Sequence, residues 1–318
     1  MKKMINSVHF EGYLYQHDLV KKVTGPTSKA PGTEYISGNI EIVVDEDGLN
    51  VVPVHFTYVT EKTAKGGTNA TFTTLSKIID GGKTWIADGK DSAVKVKVDT
   101  SIALNDFYTD NNGQVELISP KRCEGGFVTI VSALDPNKRD SFSVDMVITN
   151  VARVDANEER NIPEYVNVRG AIFNFKNDVL PVEFSVKDEG GMNYFEDLGV
   201  TASEPVFTQV RGAINNISIK QTITREAAFG EAAVDEVTRT YKEWVITWAQ
   251  AEPYEFGADG VLTADELTKA MGDRQVMLAE KKKQYEDYKA EKAKGGNATP
   301  VAQTAAPSAA APAGKFSF

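Results

Sequence analysis

One β-hairpin is written twice in this chain, and that repeat limits the possible folds more than any other stretch. Residues 35–59 read YISGNIEIVVDEDGLNVVPVHFTYV, and residues 165–186 read YVNVRGAIFNFKNDVLPVEFSV. Each copy has a strand with a central glycine (Gly38, Gly170), a polar turn, and a strand of the form apolar-apolar-Pro-Val-x-Phe ending at Phe56 or Phe184. The glycines stand 132 positions apart and the prolines, Pro53 and Pro181, 128 apart. The turns therefore differ in length while the strands do not, as expected where insertions collect in loops. Two related β domains in tandem follow, and 318 residues suffice for two cores.

Short alternating runs fill the rest of both units. They fall at 8–15, 35–44, 51–60, 94–98, 126–133 and 141–154 in a first domain, 1–155. In a second, 156–256, they fall at 166–175, 179–187, 206–214, 218–224 and 244–249. Residues 73–80 (TTLSKIID) read as a short helix. Glycines at 12, 38, 170 and 212 lie in mid-strand, where glycine marks a bulge or coil that lets one strand serve two sides of a small barrel. The fold class is thus mostly β, with two tandem five-stranded OB-like barrels, although a sandwich gives the same alternation.

In the segment 257–294, Thr263 and Glu266 form a capping box, and a helix of about 30 residues runs to Lys294. The Ala/Pro/Ser/Thr tail 295–318 cannot form a core, reads as disordered, and ends GKFSF. Residues 255–266 imitate an EF-hand loop, but Glu255 stands at position 1 and the ligandless Gly257 at position 3, so the calcium reading is rejected.

Composition removes several classes of function. One cysteine, Cys123, rules out an internal disulfide and fits a reducing compartment. No apolar run reaches the roughly 18–20 residues of a membrane span, and the start MKKMINSVHF lacks the apolar stretch of an export signal. His9, His17 and His55 have no metal-ligand spacing, so neither an enzyme nor a cofactor is expected. Net charge is −10, and no segment is strongly basic: 17 basic against 20 acidic residues in 1–155, 9 against 17 in 156–256, and 9 against 8 beyond. Nucleic-acid binding would need a local basic face.

Alternation supplies candidates for such a face. Val8, Phe10 and Leu14 point one way, leaving Tyr13 and Tyr15 on the other side. Lys95 and Lys97 lie opposite the valines of 94–98. Arg169 and Phe173, and in the strand that repeats VRGAI, Phe207 and Arg211, point outward. Aromatic rings with arginine and lysine between them suit unpaired bases and phosphates. Trp85, in the turn-rich GGKTWIADGK, would lie on a loop over the same groove.

The stretches NSVHFEGYLYQHDL, YISGNIEI and DEDGLNVVPVHFTYV resemble the first three strands of OB-fold single-stranded DNA-binding proteins. IFNFKNDVLPVEFSV, PVFTQVRGAI, AAFGEA and EPYEF with its following helix are similar to phage-encoded, single-strand-binding-like proteins of Gram-positive hosts. The resemblance covers nearly all of residues 5–293. It implies sequence-independent binding of single-stranded DNA in phage replication or recombination, in the bacterial host cytoplasm. It also implies a tail tip, Phe316 and Phe318, that recruits replication or recombination proteins. That family's tip is acidic, whereas residues 295–318 carry only Lys315 as a charge. The alternative is a phage structural or assembly protein whose β domains bind protein.

Overall fold

Strand β1 (Asn6–His17) shows how the barrels are built. Val8, Phe10 and Leu14 are fully buried, and β1 is paired along both edges. One edge carries β5 (Lys95–Leu104), and the other carries first β9 (Asp140–Val154) and then β3 (Glu34–Val43). The computed structural model describes residues 4–157, 162–225, 233–258 and 260–293, without the side chains of 218–239.

A first ring runs β1–β3–β4–β8–β5 and back to β1, with β4 at Val51–Thr60 and β8 at Lys121–Ile130. Only β4 and β8 are parallel. Helix α1 (Ala70–Gly81) connects β4 toward β5 and buries Leu75 and Ile78. Its N-cap, Asn69, accepts from the amides of Thr71 and Phe72, satisfying donors that the first turn leaves unpaired. Strand β2 (Val20–Val23) lengthens the edge beside β3, and β6 (Phe107–Asn111) with β7 (Gln114–Ile118) forms a separate hairpin. These short, polar pieces carry too little alternation to be legible as strands.

The second ring repeats the plan as β9–β10–β11–β13–β12, with β10 at Tyr165–Phe173, β11 at Val179–Val186, β12 at Val206–Arg225 and β13 at Ala233–Ala249. Again the third and fifth strands are parallel, and a helix, α3 (Glu189–Asp197), lies between the third and fourth. The hairpin repeated in the sequence is strands two and three of each ring. Gly170 and Gly212 occupy the same place in the two VRGAI stretches, at ladder shifts. A Cβ there would overlap the carbonyl oxygens of Val147 and Val245, so only glycine fits.

Pairing of β1 with β9 fuses the rings into one 11-stranded sheet, and their interiors form one apolar cluster. Strand β9 follows the first set of strands in sequence, yet it closes the second ring through β10 and β12.

Helix α4 (Ala264–Ala293) begins with the capping box: the Glu266 amide donates to Thr263 Oγ1 and the Thr263 amide to Glu266 Oε2, both at 3.1 Å. Arg274 of α4 reaches Asp106 at 2.8 Å in a nearly buried ion pair. Leading into α4, residues 254–258 and 260–262 lie over the outside of the second ring. There Leu262 joins Met4, Val147, Ala171, Phe173, Val179 and Phe207 in a second, smaller core. The tail 295–318 lies outside the described residues. Among the described residues no helix is long and apolar enough to cross a membrane.

Candidate nucleic-acid interface

Tyr13 leaves the first ring on the face opposite Phe10 and Leu14, and Lys95 stands directly across from it on β5. Trp85 opens the short helix α2 (Trp85–Asp88), which is closed on itself at its start. Thr84 Oγ1 accepts from the Ala87 amide, and Asp88 accepts from the Thr84 amide. This turn holds the indole edge-on to Tyr13, with centroids 5.4 Å apart and planes at 81°. Such edge-to-face packing is a favoured aromatic geometry. On another side, Gly48 passes the indole at φ 78°; a Cβ there would lie 3.1 Å from it.

Three cations surround the Tyr13 ring: Arg139 at 5.6 Å, Lys90 at 5.7 Å and Lys95 at 5.9 Å. Lys90 also lies 5.4 Å from the Trp85 ring. These separations lie within the roughly 6 Å reach of cation–π attraction. Glu46 neutralises part of this charge, meeting Lys90 at 2.8 Å and Arg139 at 2.6 Å. The hydrogen bonds from Lys90 and Arg139 hold the Glu46 carboxyl below its ordinary range, and Glu46 in turn raises Lys90. Neighbouring Asp45 is engaged by the amides of Gly48, Leu49 and Asn50. Lys95 and Lys97 take part in none of the ion pairs among the described residues, and Lys95 lies over the Tyr13 ring. Tyr15, half-buried, falls at the ladder shift between Leu14 and Gln16 in the pairing of β1 with β3.

Tyr13, Trp85 and Lys95 thus come together, with Lys97 beside them. The remaining expected residues do not join them. Arg169 is held at 2.6 Å by Glu183 on the outside of the second ring. Phe173 and Phe207 require correction. They do point out of the ring, as alternation requires, but they are 0% and 2% exposed because the segment around Tyr254, Phe256 and Leu262 packs over them. Neither can meet a base. Arg211 stacks on Trp248 with its guanidinium carbon 4.4 Å from the ring centroid. Phe316 and Phe318 lie outside the described residues.

Four further features escaped the sequence. Lys90 closes the same GGKTWIADGK loop that carries Trp85, a signal that was present; Arg139 had none. Tyr35 and Tyr58 form a ring pair at 4.6 Å on β3 and β4, with Tyr58 half exposed. Trp248 follows Ile246 by two, which places it inward by strict alternation. A ladder shift leaves Thr247 between Ile246, opposite Gly212, and Trp248, opposite Arg211, and so turns the indole outward.

No group of metal-binding side chains occurs among the described residues. Each ring has five strands, a helix between the third and fourth, and a parallel third–fifth pairing, and this makes both of them OB-type barrels. By sequence the chain belongs to the YorF family, whose model matches residues 4–284. No curated protein matches it.

Among solved structures it is similar to a deletion mutant of the single-stranded DNA binding protein from Thermus aquaticus, at 10% identity and a TM-score of 0.44. The wild-type Thermus aquaticus protein gives 11% identity and a TM-score of 0.42. In both cases the likeness covers 81% of this chain and 98% of the other. A replication protein A heterotrimer bound to single-stranded DNA matches at 10% identity and a TM-score of 0.19, over 84% of this chain and 69% of that one.

Proposed function

We propose that the protein binds single-stranded DNA without sequence preference and has no catalytic role. The observation that carries this is the Tyr13–Trp85 ring pair ringed by Lys90, Lys95 and Arg139 on the outside of an OB barrel. Rings of this kind stack on any base, at about 1–3 kcal/mol each, while lysines and arginines replace the counterions of the phosphates. The Tyr35–Tyr58 pair lies on strands two and three of the same barrel, the face through which OB folds meet oligonucleotides. A negative total charge is compatible with this because binding follows the local field at the groove.

The setting we propose is phage DNA replication or recombination in the host cytoplasm, with residues 295–318, Phe316 and Phe318 included, recruiting a protein partner. A fluorescence titration with dT20 at about 50 mM and about 200 mM salt tests the binding. Affinity should fall steeply between the two, since each neutralised phosphate contributes a slope of roughly 0.7 in log–log form. Absence of binding to dT20 at the lower salt and micromolar protein would reject single-stranded DNA as the ligand. Stable self-assembly under those conditions would favour a structural role.

A further inference from the structure

We infer that Trp248 and Arg211 of the second barrel form a second base-stacking point, and that one DNA strand reaches it from the Tyr13–Trp85 cluster across the seam between the barrels. This builds on the single-strand reading and adds to it a site, a path and a minimum length.

Residues directly opposed in antiparallel neighbours share a face of the sheet. Trp248 opposes Arg211, Arg211 opposes Ser143, and Ser143 opposes Ser7. Along β1, Ser7 lies on the same side as Tyr13, and Tyr13 opposes Lys95. The indole of Trp248 and the phenol of Tyr13 therefore belong to one unbroken face that crosses β13, β12, β9 and β1. The other side of these strands carries the buried Val8, Phe142, Val144 and Val210.

Three features of this face suit a strand of DNA. Trp248 is 43% exposed and borders a recess of about 350 Å³ beside α3, with Val186, Tyr194, Phe195 and Ile246 among its walls. Arg211 forms no ion pair among the described residues, and it supports the indole as a cation–π partner that can also meet a phosphate. Exposed Ser7 and Ser141 floor the way between the two aromatic points, and Lys97 lies beside it. Two carboxylates lie on this stretch: Asp99 is engaged by His9 at 2.6 Å, and Glu11, buried, accepts from the Asp135 amide at 2.7 Å.

Sheet geometry sets the span. Trp248 stands three strand spacings from β1, about 14 Å, and Tyr13 stands six residues from Ser7 along it, about 20 Å, giving roughly 25 Å corner to corner. A strand at a stacked rise of about 3.4 Å covers that in about seven nucleotides, and in fewer when extended. Affinity should therefore step upward between dT4 and dT12 as the second point is engaged.

The test compares dT4, dT12 and dT20 on the full chain and on Trp248→Ala, Trp248→Phe, Arg211→Gln and Trp85→Ala. Trp248→Ala should weaken dT20 about tenfold, the lower end of what one stack contributes, and erase the step between dT4 and dT12. Trp248→Phe keeps a ring and should recover binding to within about threefold, which excludes misfolding as the cause. Arg211→Gln should lower the salt slope for dT20 by about 0.7. If Trp248→Ala and Arg211→Gln bind dT20 like the wild type while Trp85→Ala is weakened, the second point is wrong and the single-strand reading stands. If the wild type binds none of the oligonucleotides, both are wrong.

Discussion

Replacing Leu262 with Ala puts a number on the packing that hides Phe173 and Phe207. Leu262 is 0% exposed and shares its core with six buried residues that come from β9, β10, β11, β12 and the N-terminus. Truncating a leucine in a closed core removes its transfer free energy and leaves a cavity, at about 2.7–5.0 kcal/mol. Tyr254, Phe256 and Leu267 line the cluster only partly buried and can settle inward, which places the expected cost near the lower end, about 3 kcal/mol. If this core melts with the barrels, the variant should melt roughly 5 °C below the wild type by circular dichroism. If the cover formed by Tyr254, Phe256 and Leu262 instead detaches on its own, the main transition stays in place and amide exchange accelerates around Phe207. Phe207 pairs its backbone carbonyl with the Tyr254 amide, so loss of the cover frees that contact. An unchanged melting temperature together with unchanged exchange at 206–208 would refute the account of this second core.

Three further outcomes follow from the site and the core. Glu46→Gln removes the carboxylate that occupies Lys90 and Arg139, so it should strengthen dT20 binding several-fold and steepen its salt dependence; weaker binding would mean that Glu46 positions the cluster rather than competing with phosphate. Lys95→Gln and Lys97→Gln should each flatten the salt slope by about 0.7 without shifting the melting temperature, and unaltered slopes would remove these lysines from the interface. Asp140 is buried, which pushes its carboxyl up to about 7 against the opposing pull of the Ile214 amide. With the folded value above the ordinary 3.8, the protonated form favours folding, and that stabilisation is complete below about pH 4 and lost as pH rises through about 7. The wild-type urea midpoint should therefore fall between pH 5.5 and pH 8 while that of Asp140→Asn stays level; parallel midpoints would count against a buried, protonated Asp140.

The candidate site was legible where it depended on local pattern. Alternation in 8–15 and 94–98 put Tyr13 and Lys95 outside, and the ladder brings them face to face. Trp85 could be flagged from its turn-rich surroundings, although not its distance from Tyr13. Arg139 was invisible because it reaches Tyr13 from β9's approach, more than a hundred residues away, through the Glu11 carbonyl. The rule that placed Tyr13 fails at Trp248: a single unpaired residue, Thr247, shifts the count by one, and a shift of one exchanges the two faces.

By itself the sequence determined the units. The repeated hairpin, the mid-strand glycines and the capping box are local features, since dihedral preference, side-chain period and end-capping act over a few residues. Tertiary structure alone decided which strands share a ring, that β1 and β9 fuse the two rings, and that Tyr254, Phe256 and Leu262 cover the outward phenylalanines of the second. Alternation reports only that a side chain leaves its own barrel. Whether it then meets water, DNA or another stretch of the same chain depends on long-range packing, where the apolar faces of distant segments find each other without any local signal of where they will meet.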